Sequence, residues 1–400
     1  MVKYGIMDNK RLSVALICFD NPFLKPNEGG KRGILTRIES LLISELYDVD
    51  IYLLNKPSEG MADDFKGFEQ KANNIYQYKM RSGFKTLFGP YPICVNKRFV
   101  SECINELKKH EYDVAIYEGC QVAKYRLKNA VKAKKHIIYF HDIESAYRRE
   151  IAKSQTNPLI KLANKMESRR FKYIEKRVDK NFDEIWYVSK DECEAFNKNL
   201  KNPQKGTYIP YPALDISAKL ADGNVKNRLL YVGDLSLKNN FLSIKWFMSE
   251  VFPKIKDANA DAEIKIVGRI TEEDKAILTN LGANMCGYVE DIEGEYNDAA
   301  AVVCPVLFGA GVKVKTIDSL AHGQIVVTTS KGVEGTELQS GRHLIIADTA
   351  DEMAQKCADI LLNRDKYTGI SKQGYEYIKS NHTVENQADI IKAKLTLIFE

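Results

Sequence analysis

Short apolar runs of strand length alternate with stretches of helical periodicity along the whole chain, the pattern of parallel sheets covered by helices on both faces. In the first half the pattern predicts strands over Leu12–Phe19, Val49–Leu54, Asp113–Tyr117, His136–Phe140 and Glu184–Val188. Apolar residues at helical spacing predict helices between them, such as Ile34–Leu46 and Lys97–His110. Pro203, Pro210 and Pro212 then crowd into Asn202–Ala213 and break the alternation, which marks a hinge between two α/β blocks. The second block restarts with strands over Arg228–Val232, Glu263–Val267, Ala301–Cys304, Ile325–Thr328 and Leu344–Ile346, and helices near Asn240–Val251, Lys313–Ala321 and Asp351–Asn363. A helical stretch at about Thr383–Phe399 closes the chain. The expected architecture is α/β with two doubly wound domains, residues 1–208 and 209–382, the terminal helix 383–400 joining the first. Such domains bind ligands beyond the carboxyl ends of their strands, so two of them facing across a cleft would place chemistry there.

Composition narrows the class without changing this outline. A chain of 400 residues that is 44% hydrophobic and 28% charged is neither disordered, coiled coil nor collagen. No window approaches the ~18 apolar residues of a membrane-spanning helix. The apolar run Ser13–Phe19 is short and lacks a small-residue cleavage pattern, so it reads as a strand and not as a secretion signal. The eight cysteines are scattered with no Cys-x-x-Cys pair, as expected of reduced thiols in a cytosolic protein. Charge is uneven: residues 1–200 carry 36 Lys and Arg against 27 Asp and Glu, whereas residues 201–400 carry 23 against 27. The two halves are expected to meet different partners.

Three turns carry candidate chemistry. The first predicted strand runs into a turn containing Gly29, Gly30 and basic residues before a helix, either a tight turn or a place where backbone N–H groups meet an anion. Tyr139–Glu144 sets His141, Asp142 and Glu144 just past a buried strand; Asp142 and Glu144 read as a helix cap or as acceptor-side groups, while His141 faces the expected cleft. In the second half, Pro305–Lys315 follows a strand and opens a helix, with Gly309 and Gly311 in the turn and Lys313 and Lys315 at the helix start. Flexible glycines, helix N–H groups and ammonium charges together suit a diphosphate. Asp318, one helical turn beyond Lys315, could accept hydrogen bonds from the vicinal hydroxyls of a ribose. There is no phosphate loop of the Gly-x-x-x-x-Gly-Lys-Ser/Thr type, no dinucleotide fingerprint and no carboxylate or histidine cluster for a metal, so no cofactor or metal is expected.

The motifs of the second half resemble the family 4 (group 1) glycosyltransferases of GT-B fold. The resemblance runs in order over about residues 228–362, through Leu230–Asn240, Trp246-Phe247, Val251–Pro253, Ile266–Gly268, Gly287–Ile292, Gly309–Gly323, Val326–Thr329 and Gly332–Gly335. In the first half it is carried by Gly29-Gly30, His141–Glu144 and Trp186–Ser189. It implies two Rossmann-like domains and transfer of a sugar from a nucleotide-diphosphate sugar to a saccharide or lipid-linked acceptor, with retention, without metal, in cell-surface polysaccharide or glycolipid synthesis. It further implies that Gly29 and Gly30 lie over the diphosphate, His141 near the donor sugar and Lys315 on the phosphates, with both of the last two catalytic. Gly233, Lys238, Tyr288 and the turn Gly309, Ala310, Gly311, Val312, Lys313 would bind the donor, with Asp318 where the family usually has a ribose-binding glutamate. Two positions depart from the family: Asp234 replaces the arginine that often follows Gly233, and Ala310 replaces the first glutamate of a conserved pair. Two other readings share the architecture, a non-hydrolysing sugar-nucleotide epimerase and a non-catalytic donor-binding scaffold.

In that fold the first domain usually holds the acceptor, and here it is the basic one. Nine Lys and Arg against three acids lie between Lys153 and Lys180, interleaved with Leu159, Leu162, Met166, Phe171 and Ile174 as on an amphipathic helix. A second stretch, Lys79–Phe99, mixes basic residues with Phe84, Leu87 and Phe88. These read either as a helix packed by its apolar stripe with a solvated basic face, or as a surface for the anionic cytoplasmic face of a membrane. No aromatic stacking platform points to nucleic acid.

Overall fold

The computed structural model of the chain describes residues 11–24, 30–198, 205–213, 216, 227–309 and 311–400. Two compact units emerge, one of Met1–Pro210 with Val384–Glu400 and one of Tyr211–Thr383.

The first unit is built on a seven-stranded parallel sheet in the order β3-β2-β1-β4-β5-β6-β7. Its strands are β1 (Leu12–Cys18), β2 (Tyr47–Asn55), β3 (Asn74–Lys79), β4 (Tyr112–Glu118), β5 (Ala133–Phe140), β6 (Glu184–Tyr187) and β7 (Gly206–Tyr208). The second unit has six parallel strands in the order β10-β9-β8-β11-β12-β13. These are β8 (Arg228–Val232), β9 (Glu263–Val267), β10 (Asn284–Gly287), β11 (Ala301–Cys304), β12 (Val326–Thr328) and β13 (Ile345–Ile346). In both sheets the order reverses beside the first strand, between β1 and β4 and between β8 and β11, which is where a doubly wound sheet opens a crevice at its carboxyl edge.

Ten strands fall where the hydrophobic pattern predicts them, and the three missed ones share a physical property. β3, β7 and β10 are edge strands with mixed, half-exposed faces, so they carry no continuous apolar run. β7 lies inside Asn202–Ala213, whose prolines predict only a break. Two predicted helices are also interrupted. Lys97–His110 divides into Ile93–Arg98 and Ser101–Leu107, with Val100 extended between them. The stretch beginning at Lys238–Trp246 widens into a π-type turn at Phe247–Val251 before Phe252–Ala258. Pro253 at the start of that last helix lacks an N–H to continue the ladder, and the wider turn absorbs the mismatch.

The terminal helix Val384–Phe399 belongs to the first unit. Ser40 of the helix Lys31–Leu42 donates to Gln387 Oε1 at 2.9 Å, and Gln387 Nε2 donates to Pro210 O at 3.1 Å. Between β5 and β6 runs the long helix Pro158–Asn181, started by Asn157, whose side chain accepts from the Leu159 and Ile160 N–H groups. Only its second half is seated: Phe171, Ile174 and Val178 are buried, while residues 156–163 are exposed throughout. Phe171→Ala should therefore cost about 3–5 kcal/mol in urea unfolding, whereas Leu159→Ala on the same helix should stay within about 0.5 kcal/mol of the parent.

Candidate functional site

At the carboxyl edge of the second sheet, glycines bring the loops after β8 and β9 together. Gly268 adopts φ +143°, and a Cβ there would stand 1.8 Å from Gly233 O, so the approach requires glycine. The Asp234 carboxylate organises the β8 loop, accepting from Ser236 N at 3.0 Å and Ser236 Oγ at 2.6 Å through Oδ1. Its Oδ2 accepts from Arg269 Nη2 at 2.8 Å. The charge at this unusual position is thus paired, and Arg269, in the loop after β9, brings a guanidinium to the edge where the sequence motif lacks one. That pairing depends on two loops distant in sequence, which is why sequence reasoning missed Arg269.

Lys315 sits in the first turns of the helix Val314–Ala321, which has no side-chain cap and no acidic residue in its first turn. Its Nζ donates to Asn240 Oδ1 at 2.8 Å and to Tyr231 OH at 3.1 Å. Asn240 in turn donates through Nδ2 to Asp234 O at 2.9 Å. Burial pulls the Lys315 pKa down from 10.5 to about 8; Cys304 opposes the shift and neighbouring Lys313 adds to it. An ammonium held by neutral partners in a desolvated place gains from an added anion. Tyr231 and Asn240 are side-chain partners of Lys315 that the sequence motif contained without revealing the contact.

The other expected donor residues divide. Lys313 Nζ donates to Gly309 O at 3.1 Å and also to Gly311 O, bracing the turn in which Gly309 and Gly311 adopt positive φ. Its ammonium is thus engaged by carbonyls of the turn. Val312 is half-buried in the same turn, and Ala310 lies outside the described residues. Lys238 is exposed as the first residue of its helix, and Tyr288 is exposed just past Gly287, which takes φ +68° at the end of β10. Asp318 is half-buried one turn beyond Lys315.

In the first unit, His141 Nε2 lies 2.8 Å from Glu118 Oε2, and Glu118 Oε1 accepts from Arg37 Nε at 3.0 Å. Glu118 and Arg37 are both 0% exposed. The register explains the convergence: Glu118 pairs with Cys18 on one side and with Tyr139 on the other, so it ends the strand beside β5, and His141 follows two residues after its partner. The Arg37 guanidinium lies 4.0 Å over the Tyr139 ring, and His141 packs edge-on against Phe19 and Tyr139. Gly30 fits because a Cβ there would stand 2.7 Å from the Phe19 ring; Gly29 lies outside the described residues. Glu118 and Arg37 were not legible as partners of His141, because a glutamate ending one strand and an arginine inside a helix carry no local motif.

At this edge the structure accounts for one basic residue of the glycine turn and corrects one expectation. Lys31 of the glycine turn is buried and bonded to Leu24 O at 2.6 Å and Glu59 at 3.2 Å, with Asp20 at 3.7 Å, so it stabilises the turn and is not offered to an anion. Nor does Asp142 cap the following helix: Glu144–Ser154 has Ile143 at its N-cap with no side-chain cap. Its N–H groups are served from other helices, Ser145 N by Glu175 at 2.9 Å and Ile143 N by Glu192 at 3.3 Å. Glu144 does occupy the first turn, where Gln121 Nε2 donates to it at 2.6 Å. Burial raises its pKa from 4.5 to about 7, aided by Asp142 and Glu175 and opposed by Arg148.

Residues 226–363 match the family described as "Glycosyl transferases group 1". A curated protein of Klebsiella pneumoniae, described as an uncharacterized 44.6 kDa protein in the cps region, is 27% identical over 385 residues, covering 92% of this chain and 96% of that one. Among solved structures, a glycosyltransferase from Rickettsia africae superposes with a TM-score of 0.64 at 14% identity, covering 98% of this chain and 99% of its own. HepE of Anabaena, solved with UDP and glucose, gives a TM-score of 0.62 at 14% identity, covering 96% and 100%. The fold is that of the GT-B glycosyltransferases.

Two outcomes follow from the geometry of the first unit. Glu118→Gln should cost about 3 kcal/mol in urea unfolding, because it leaves the buried Arg37 without its countercharge. Glu144, with a raised folded pKa, holds its proton longer in the native state, so its contribution to stability falls as pH rises from about 4.5 through 7. Glu144→Gln should flatten the stability profile across that window, as read by urea unfolding at a series of pH values.

Proposed function

With a group 1 glycosyltransferase domain at residues 226–363, we propose that this protein moves a sugar from a nucleotide-diphosphate sugar to a saccharide or lipid-linked acceptor in cell-surface polysaccharide synthesis, retaining anomeric configuration and using no metal. The observation that carries this reading is Lys315, partly desolvated between Tyr231 and Asn240 at an uncapped helix N-terminus. The UDP bound to the similarly folded HepE and the cps-region description of the Klebsiella relative favour a uridine diphosphate donor and a polysaccharide product. Retention and metal independence follow the family resemblance.

The chemistry that these residues supply is electrostatic. As the bond between the anomeric carbon and the diphosphate breaks, negative charge gathers on the β-phosphate. The Lys315 ammonium and the first N–H groups of Val314–Ala321 are fixed in place before that charge develops, so little reorganisation opposes the step. Asp318 is suited to accept hydrogen bonds from the ribose hydroxyls, and Asp234, neutralised by Arg269, does not oppose an incoming diphosphate as a lone carboxylate would.

Donor titration with UDP-sugars should raise the thermal unfolding midpoint, by the equivalent of about 2.7 kcal/mol at one hundred times Kd. In a radiolabel transfer assay Lys315→Ala should lose about 10² to 10³ in kcat while staying folded, and near-normal turnover would end the assignment. Because Lys315 titrates near pH 8 in the free protein, UDP binding should take up a proton at about pH 8 to 9 and weaken as pH rises further. Calorimetry in buffers of different ionisation enthalpy reads that uptake, which Lys315→Ala should abolish. An epimer formed from donor alone would redirect the reading to the epimerases.

A further inference from the structure

The first half of the helix Pro158–Asn181 leaves large apolar side chains exposed among the described residues. Leu159, Leu162 and Met166 share one face of it, turned away from the face that buries Phe171, Ile174 and Val178, and all three are exposed, Leu159 by 75%. Ile160 beside them is exposed as well. The segment ahead of Ile93–Arg98 lies alongside: Arg170 Nη2 donates to Leu87 O at 3.2 Å, and Glu167 accepts from Ile93 N at 2.9 Å. That segment presents Phe84, 73% exposed, and Phe88, packed edge-on against each other with centroids 4.9 Å apart.

Charge identifies what these apolar groups would meet. Residues 79–101 and 151–166 contain no Asp or Glu but carry Lys79, Arg81, Lys85, Lys97, Arg98, Lys153, Lys161 and Lys165. Of the carboxylates that border these segments, Glu102, Glu150 and Glu167, the last is occupied by Ile93 N and by Arg170 at 2.8 Å. We infer that the exposed half of Pro158–Asn181 and the Phe84–Phe88 segment together lie in the interface of an anionic bilayer, the apolar groups among the acyl chains and the lysines at the headgroup phosphates. A lysine beside an apolar stripe can lay its stem along the stripe while its ammonium group reaches outward, which a lipid surface accommodates and a dry protein interface does not. No helix among the described residues is long and apolar enough to cross a membrane, so this attachment would lie on the bilayer and not through it. The inference stands whether or not the protein transfers sugar.

Flotation of the full-length protein with extruded vesicles tests it. Binding is expected to vesicles of phosphatidylcholine mixed with phosphatidylglycerol, not to phosphatidylcholine alone, and it should fade with added salt. Lys161→Glu with Lys165→Glu should lower partitioning by well over tenfold, at about fivefold for each cation lost. Leu159→Asp with Leu162→Asp, and separately Phe84→Ser with Phe88→Ser, should each lower it by about tenfold or more. Lys356→Glu with Lys372→Glu, exposed lysines of the second unit, should leave it unchanged. Failure to float at low ionic strength, or wild-type partitioning by both apolar pairs, would overturn the inference. So would self-association in sedimentation equilibrium that Leu159→Asp with Leu162→Asp abolishes, since a second copy would then be the occupant.

Discussion

Arg37 and Glu118 are both fully buried, and neither could be so without the other. An isolated charge removed from water is costly enough that a group of this kind would shift its protonation or reach for solvent. Here the carboxylate ends the central strand β4 and divides its oxygens between a guanidinium from the helix behind it and the imidazole of His141 in front. The arrangement holds the ends of β4 and β5 and the middle of the first helix in one register. Phe19, Tyr139 and Gly30 then pack around it with distances that leave little freedom. A polar line through an apolar sheet edge thus positions the one histidine that the motifs had singled out.

The second unit uses the same constraint with the opposite outcome. Lys315 is also partly withdrawn from water, but its hydrogen-bond partners are a tyrosine hydroxyl and an asparagine oxygen. Neutral partners orient an ammonium without cancelling its charge, so burial lowers its pKa to about 8. A site in that condition favours an anion in a way that a solvated lysine does not. Nearby Lys313 and Arg269 show the contrast, since one braces the glycine turn and the other pairs with Asp234. Three cations reach one sheet edge, and their partners decide which of them can serve a ligand.

The surplus of positive charge in the first half has two fates. Some of it is internal, as in Lys31 between Asp20 and Glu59, and contributes nothing to the surface potential. Eight of the other cations lie on two acid-free segments that also expose large apolar side chains. Net charge by itself cannot distinguish these fates, because pairing depends on which strand ends the fold brings together.

The alternation of apolar runs and helical periods was enough to determine two doubly wound α/β blocks, most central strands to within a few residues, and the glycine-rich turn that leads into Lys315. Those features are written locally, since a strand buried on both faces must be apolar and a tight turn needs glycine. The edge strands β3, β7 and β10 escaped because a half-exposed strand need not be apolar. The partners of the candidate site escaped for a different reason. Glu118 reaches Arg37 across 81 positions and Lys315 reaches Tyr231 across 84, and no local pattern encodes which side chains meet at such separations. The sequence by itself determined which elements form and where polar residues leave them. Only the tertiary structure decided which charges are cancelled, which remain for a ligand and which half of the basic helix stays exposed, because burial and pairing are properties of packed neighbours and not of chain order.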